Sequence, residues 1–142
     1  MSREIVLAIE VEGSPEDTFR AVTTQDGLAA FWTSDVDAEP RVGAKLRLGF
    51  PAAAVDLQML VTALDADERV EWECPGPWPN WAGTRVEWSI AGGDQTMVTF
   101  VHRGWSDEVP DTELGSVALV WARVLIALSA YIQSGQPAPA LG

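Results

Sequence analysis

His102 is the single histidine of the sequence and the side chain best suited to proton transfer at neutral pH. An unperturbed imidazole has a pKa near 6.5, so it suits a general acid or base in a cyclisation or a dehydration. It ends an alternating run with Val98 and Phe100, and this run predicts a strand that directs all three side chains inward. The sequence therefore offers one buried group capable of acid–base chemistry.

No second catalytic group accompanies this histidine in the pattern. The nearby acids Glu71, Glu73 and Glu87 alternate outward on the neighbouring predicted strands, so no dyad is formed. We interpret His102 as a core residue that is hydrogen-bonded to Thr84, to a tryptophan or to backbone near the start of the last helix. An enzyme that uses His102 as its general acid or base stays open as an alternative.

Cys74 is the single cysteine, and we interpret it as a packing residue. Its acidic neighbour Glu73 and the absence of a nearby histidine in sequence do not favour a thiolate. One histidine, one cysteine and no acid cluster of ligand spacing do not make a metal site. We predict no metal and no cofactor.

The composition favours one domain with few anionic partners. The chain has 142 residues, 47% of them hydrophobic, which predicts a single domain over residues 1–135 followed by a flexible tail over 136–142. The formal charge of −12 repels phosphate backbones and anionic lipid surfaces, so we expect neither nucleic acid nor membrane as a partner. A start without a secretory pattern and a lone cysteine predict a cytoplasmic protein.

The most regular segment is a long helix predicted over residues 112–133. Its apolar side chains recur at spacings of three and four and form one stripe: Leu114, Val117, Trp121, Leu125, Leu128 and Ile132. The segment is almost long enough to span a bilayer, but Arg123 near its middle would cost about 2.5–3.5 kcal/mol there. We interpret the segment as a core helix, with Arg123 in solvent.

Strand patterns fill most of the remaining chain. Capping residues Ser14, with Pro15 after it, and Thr24 predict two short helices after the first strand. Gly27 indicates that the second of these helices is brief and weak. Seven strands are predicted, over residues 3–12, 33–38, 45–50, 55–64, 68–74, 84–91 and 95–103.

The last predicted hairpin turns at Gly92 and Gly93. A two-residue turn would place the apolar sets of its strands on opposite faces, so we predict a three-residue loop over residues 92–94. That loop pairs Trp88 with Val98 and Val86 with Phe100. It also places His102 opposite Thr84 on the inward face.

The order strand, two short helices, six-strand meander and long helix resembles the SRPBCC or START-like superfamily, nearest to the group similar to the activator of heat-shock protein 90 ATPase. The residues that carry the resemblance are Leu28 to Trp32, Val42-Gly43, Gly83 to Trp88, Thr96 to Trp105 at alternate positions, Trp121, Leu125, Leu128, Tyr131 and Gly135. The resemblance implies an α+β helix-grip fold, in which a strongly curved seven-stranded antiparallel sheet wraps around the long C-terminal helix.

The resemblance also implies a cavity between the sheet and this helix. Inward positions of the predicted elements then supply the ligand-binding residues: Trp32, Phe50, Met59, Trp72, Trp88, Phe100, His102, Trp121 and Leu125. Aromatic faces of this kind suit an aromatic or lipid-like molecule. The alternative is that seven tryptophans fill the space and close the cavity.

The connection around Trp78 and Trp81 contains three prolines and two tryptophans. These indoles either close over the mouth of a cavity, face a partner, or fold back as a small core of their own. The sequence does not decide between these arrangements.

A second, thinner apolar stripe runs along the back of the long helix: Leu119, Ala122, Ile126 and Ala130. Small exposed apolar groups are ordinary on protein surfaces. Used as a contact surface, the stripe makes a symmetric homodimer through antiparallel helices.

These observations predict non-catalytic binding of a small hydrophobic or aromatic molecule. The first alternative is an enzyme of the polyketide-cyclase kind that uses His102. The second is a protein-interaction module similar to the chaperone activators, which we do not favour because the resemblance covers a single domain.

Overall fold

The computed structural model describes residues 3–50, 55–76, 78–93 and 95–141. Its helices are α1 (Pro15–Thr23), α2 (Gln25–Phe31) and α3 (Asp111–Ser134). Its strands are β1 (Arg3–Val11), β2 (Val36–Asp37), β3 (Lys45–Phe50), β4 (Val55–Asp65), β5 (Arg69–Gly76), β6 (Thr84–Ala91) and β7 (Thr96–Trp105). The predicted elements are all present, although β2 is shorter than predicted.

The strands form one curved antiparallel sheet in the order β1-β7-β6-β5-β4-β3-β2. The first strand pairs with the last, so the meander from β2 to β7 returns to β1, and the two short helices connect the edge strands β1 and β2. Helix α3 packs on the concave face through Trp121, Val124, Leu125 and Leu128, all of which are buried. The predicted helix-grip fold is confirmed.

Helix α3 ends at Ser134 and is capped by Gly135, whose φ of 72° is in the left-handed region that glycine adopts most readily. By length and composition alone α3 is apolar enough to cross a membrane. In this structure its apolar inner stripe covers the sheet, and its outer stripe is exposed at Leu119 and Ile126.

The two short helices begin at side-chain caps, as predicted. Ser14 Oγ accepts from the Asp17 N–H at 3.0 Å, and Thr24 Oγ1 accepts from the Gly27 N–H at 3.1 Å. A Cβ at Gly27 would lie 2.3 Å from the carbonyl oxygen of Ala21. The glycine therefore permits close contact between α1 and α2, a role that the sequence pattern alone does not reveal.

The predicted register of the β6–β7 hairpin is wrong by two residues. Trp88 pairs with Phe100 and Val86 pairs with His102. A shift of two leaves every side chain on its predicted face, because side chains alternate with a period of two. The connection is longer than three residues, since Ala91 pairs with Met97. Residue 94 of the predicted loop lies outside the described residues.

The segment after Gly135, predicted to be a flexible tail, contacts the end of α2. Three backbone N–H groups donate to successive carbonyls: Ala138 to Ala30 (2.8 Å), Ala140 to Phe31 (2.9 Å) and Leu141 to Trp32 (2.8 Å). The last carbonyl groups of a helix have no partner within it. The tail therefore supplies donors that α2 lacks.

The outward acids of the sheet are engaged in ion pairs. Glu71 contacts Arg69 and Arg85, and Glu87 contacts Arg69 and Arg103. Partial burial alone would raise the pKa of Glu87, but the hydrogen bond from Arg69 and the two arginine charges lower it below its ordinary value. These carboxylates stabilise the convex face and lie on the side opposite α3.

Candidate functional site

An open pocket of about 260 Å³ lies beside the N-terminal half of α3. Its walls come from the ends of α2, β3 and β4, from the β5–β6 connection, from α3 and from the tail. The lining residues are Trp32, Phe50, Leu57, Trp78, Trp81, Ser116, Val117, Val120, Trp121 and Leu141. The volume is slightly below that of most small-molecule pockets, which span roughly 300–1,000 Å³.

The pocket is almost entirely apolar. Ser116 is the one lining residue with a hydroxyl, and none of the described lining residues is charged. Its aromatic walls include Trp32 and Phe50, whose ring centroids lie 6.4 Å apart. Such a surface suits a molecule that has an apolar or aromatic body.

The structure divides the nine predicted ligand-binding residues into two groups. Trp32, Phe50 and Trp121 line the pocket. The other six pack in the core behind it and do not line it: Met59, Trp72, Trp88, Phe100, His102 and Leu125. In this region tryptophans fill the space between sheet and helix, which was the alternative to a cavity.

The filled region is a continuous set of ring contacts. Trp72 stacks on Trp32 at 6.1 Å and meets Trp88 edge to face at 5.7 Å. Phe100 then lies 4.9 Å from Trp88 and 4.4 Å from Trp121. Ring pairs in these geometries add about 0.5–1.5 kcal/mol each beyond area burial. The side chains that were predicted to point inward do so, but they form the floor beneath the pocket and are not part of its lining.

A hydrogen-bond chain joins α3 to the β5–β6 connection through His102. Its three links are Trp121 Nε1 to His102 Nδ1 (3.2 Å), His102 Nε2 to Thr84 Oγ1 (2.8 Å) and Thr84 Oγ1 to the Trp81 carbonyl (2.6 Å). An indole N–H only donates and a carbonyl only accepts, so each direction is fixed. His102 therefore carries its proton on Nε2, and the chain connects two walls of the pocket, Trp121 and Trp81.

The surroundings of His102 do not suit acid–base catalysis. Burial lowers its pKa to about 3, and the ring is fully shielded from solvent. Both ring nitrogens are engaged in the chain, which leaves none for a substrate. Of the three predicted alternatives for His102, the hydrogen bonds to Thr84 and to a tryptophan are both present, and burial keeps the imidazole neutral near pH 7.

Cys74 is also buried, and its position agrees with a packing role. Burial raises the pKa of its thiol, and Sγ lies 3.5 Å from the Gly76 carbonyl. Within the described residues, no group of three or more histidine, cysteine and acidic side chains has an arrangement suited to a metal ion.

We name residues 78–83, between β5 and β6, the tryptophan loop. Its indoles at Trp78 and Trp81 lie 4.9 Å apart, and both line the pocket. Trp81 also contacts Trp105 at 5.6 Å and His102 at 4.8 Å. The loop therefore combines two predicted alternatives, because Trp81 packs inward while both rings form the mouth of the pocket.

The outer side of the tryptophan loop borders a second depression of about 360 Å³. It is lined by Trp78, Pro79, Asn80, Trp81 and Glu113. Asn80 Nδ2 donates to Glu113 Oε2 at 2.8 Å, which ties the loop to the first turn of α3. We name this depression the rim. It shares both tryptophans with the pocket, so the same two rings border both spaces.

Several lining residues were absent from the predicted site: Leu57, Trp78, Trp81, Ser116, Val117, Val120 and Leu141. The proline and tryptophan content of the β5–β6 connection was a usable signal for Trp78 and Trp81. Leu141 gave no signal, because it follows a glycine- and proline-containing segment with no periodicity. Its place depends on the tail's contacts with α2.

Solved structures share this fold over nearly the whole chain. The solution structure of the Aha1 dimer from Colwellia psychrerythraea is 29% identical and covers 94% of this chain and 98% of its own, with a TM-score of 0.83. The protein SSP2350 from Staphylococcus saprophyticus is 16% identical over 98% of this chain and 100% of its own, with a TM-score of 0.80. None of the curated proteins compared with the chain is a match.

DynU16, a protein of the dynemicin biosynthetic locus, has a TM-score of 0.79 at 20% identity. The match covers 98% of this chain but 49% of DynU16, and at this identity it shows the fold alone. The family model for Activator of Hsp90 ATPase homolog 1-like protein matches residues 12–133. This match includes both short helices, β2 to β7 and nearly all of α3, and it agrees with the observed helix-grip fold. The chain therefore belongs to the Activator of Hsp90 ATPase homolog 1-like protein family.

Proposed function

We propose that this protein binds a small hydrophobic or aromatic molecule, without catalysis, in the pocket beside the N-terminal half of α3. The observation that carries the proposal is an open, uncharged pocket lined by four indoles, of which Trp78 and Trp81 are partly exposed and Trp32 and Trp121 form the buried wall. Large aromatic surfaces left without a protein partner gain free energy when an apolar molecule covers them.

The test uses naphthalene as a neutral aromatic probe, with binding measured by calorimetry and by the change in melting temperature. Val120→Asp places a charge in the pocket wall, and we expect its affinity for naphthalene to fall at least tenfold. Leu119→Asp is the matched control, because Leu119 immediately precedes Val120 in α3, is more exposed than Val120 and does not line the pocket. Absence of binding to the unmodified protein, or equal losses in both variants, would overturn the proposal.

The cyclase alternative has less support. It requires His102 to exchange a proton with a substrate, but this ring is buried, neutral and bonded through both nitrogens. The likeness to DynU16, at 20% identity, shows a shared fold and not a shared activity. A His102→Gln variant that still binds naphthalene would agree with a binding site that does not depend on imidazole chemistry.

A homodimer through the outer stripe of α3 is a second proposal, which a related structure favours. The 29% identical relative is a dimer, and the side chains of Leu119 and Ile126 are 61% and 63% exposed here. We expect sedimentation at micromolar concentration to give a dimer mass and Ile126→Asp to give a monomer. A monomer mass for the unmodified protein would reject this interface.

Family membership keeps a chaperone-interaction role as an alternative. Stimulation of Hsp90 ATPase activity by the purified chain that persists in Val120→Asp would favour that role over ligand binding. A cytoplasmic location and the exclusion of nucleic acid and membrane as partners stay predictions from charge and sequence.

A further inference from the structure

The rim adds a negative charge to the aromatic mouth of the pocket. We infer that the site selects a hydrophobic cation, with an apolar body in the pocket and a quaternary ammonium or similar positive head between the tryptophan loop and Glu113. The inference rests on the proposed function and names the class of ligand. It depends on three features of the described residues: the two spaces bordered by the same rings, the indoles and the distribution of charge.

The pocket suits the apolar body of such a ligand, and the rim suits its positive head. The pocket has no charged lining residue, whereas the rim has the carboxylate of Glu113. Trp78 and Trp81 line both spaces, so a ligand whose apolar body contacts these rings in the pocket has its head directed toward the rim. The hydrogen bond from Asn80 fixes the Glu113 carboxylate beside the loop. An apolar body and a polar head thus meet different surroundings within one site.

The indoles favour a positive head over a neutral one. The face of an aromatic ring is electronegative, and tryptophan attracts ammonium groups more strongly than tyrosine or phenylalanine does. At the mouth, Trp78 and Trp81 present two such rings 4.9 Å apart. A quaternary ammonium has no N–H to satisfy, so it suits a surface that offers few acceptors.

The charges around the site disfavour an anionic head. No described residue that lines the pocket or the rim is basic. Arg3 reaches the same end of α3, but its guanidinium contacts Asp111 at 2.6 Å and donates to the carbonyls of Asp107 and Val109. A fatty-acid carboxylate at the rim would meet Glu113 without a compensating cation. The overall charge of −12 also raises the local concentration of cations and lowers that of anions.

The experiment compares three molecules of nearly the same shape by calorimetry at low ionic strength. Phenyltrimethylammonium is the cation, tert-butylbenzene replaces its nitrogen by carbon, and 2-methyl-2-phenylpropanoate replaces one methyl group by a carboxylate. We expect the cation to bind roughly 2- to 30-fold more tightly than the neutral isostere, the range that cation–aromatic attraction supplies. We expect the anion to bind most weakly, and the preference for the cation to decrease as salt is added.

Two variants assign the preference to the rim. Glu113→Gln removes the charge but keeps an oxygen that accepts from Asn80, so the cation should lose at least threefold in affinity while tert-butylbenzene is unaffected. Glu12→Gln is the matched control for net charge, because Glu12 is exposed and its neighbour Gly13 contacts Ile132 at the opposite end of α3. This control should leave all three affinities within twofold of the unmodified protein.

The outcomes separate this inference from the proposed function. If tert-butylbenzene binds as tightly as the cation, or if Glu113→Gln and Glu12→Gln behave alike, the inference is overturned and the proposed function stands. If none of the three molecules binds, the proposed function is overturned together with it. Melting curves of both variants establish that each is folded under the conditions of the titration.

Discussion

The space between α3 and the sheet has a closed half and an open half, and both are built from tryptophan. In the closed half, around Trp72 and Trp88, the indoles are at most 1% exposed and their rings fill the volume. In the open half, around Trp78 and Trp81, the indoles are partly exposed and enclose a pocket. A high tryptophan content therefore indicates neither a filled core nor a cavity by itself.

The difference follows from the elements that carry the rings. In the closed half the side chains project from β5, β6 and β7, where the strand register pairs Trp88 with Phe100 and places Trp72 diagonally across from Trp88. In the open half the walls are the ends of elements, a loop and the tail. Element ends are not constrained by a continuous ladder of hydrogen bonds, so their side chains pack less completely.

Removing one ring from each half tests most directly whether the two halves are packed differently. We expect Trp88→Ala to lower the free energy of unfolding by about 3–5 kcal/mol, because a large buried side chain leaves a cavity. Trp78→Ala should cost less than about 1.5 kcal/mol, because its ring is already partly solvated. Urea denaturation measures both values. Equal losses would mean that the two halves are packed alike.

A pH titration probes the closed half through His102. Its pKa is near 6.5 when unfolded and about 3 when folded, so the unfolded chain binds more protons below pH 6.5. Stability is complete above that pH and decreases as the pH falls toward the folded value. We expect a loss of about 2 kcal/mol between pH 7.5 and 5.

His102→Gln serves as the control for this titration, because the glutamine side chain does not bind a proton in this pH range. Asp35 and Glu87 have pKa values below their ordinary ones, so their stabilising contributions are lost only at lower pH. A slope above pH 5 that persists in His102→Gln would assign the effect to groups other than the histidine.

The hydrogen-bond chain through His102 is tested by Trp121→Phe. This change keeps an aromatic ring but removes the donor to His102 Nδ1, leaving a buried acceptor unsatisfied. We expect a loss of about 1–3 kcal/mol in unfolding free energy. Nitrogen NMR should show the Nε2–H tautomer in the unmodified protein. Observation of the Nδ1–H tautomer there would contradict the direction of the chain.

The smallest effect is expected at the edge of the open half. Leu141→Ser removes an apolar group from the pocket wall but leaves the backbone hydrogen bond from Leu141 to Trp32. We expect less than about 1 kcal/mol loss of stability, with weaker binding of naphthalene. Gln136→Ser, in an exposed part of the same tail, should change neither quantity. A loss of stability comparable to that of Trp88→Ala would contradict the partial packing of this half.

The sequence predicted the elements of the fold more closely than their pairing. Helix α3 was predicted over 112–133 and runs from Asp111 to Ser134, because its apolar period is uninterrupted and a glycine follows it. The β6–β7 register was predicted two residues away from the observed one. Alternation determines the face of a strand, but it does not distinguish two registers that differ by an even number.

The site was less predictable than the fold for a related reason. Periodicity identifies which side chains point inward, and all nine predicted residues do lie in or beside the core. It does not reveal where inward side chains stop filling the space. That boundary depends on the tryptophan loop and on Leu141, whose positions are determined by Asn80–Glu113 and tail–α2 hydrogen bonds between residues far apart in sequence.

The seven tryptophans form one connected network of ring contacts, with direct indole pairs separated by 4.9 to 6.4 Å. Over such distances, electronic excitation of one indole passes to its neighbours before light is emitted. The emission spectrum thus belongs to the network as a whole. A molecule that quenches Trp78 at the mouth would also quench excitation that began on Trp88 in the core. Binding would therefore lower the fluorescence by more than the fraction of the indoles that the molecule contacts.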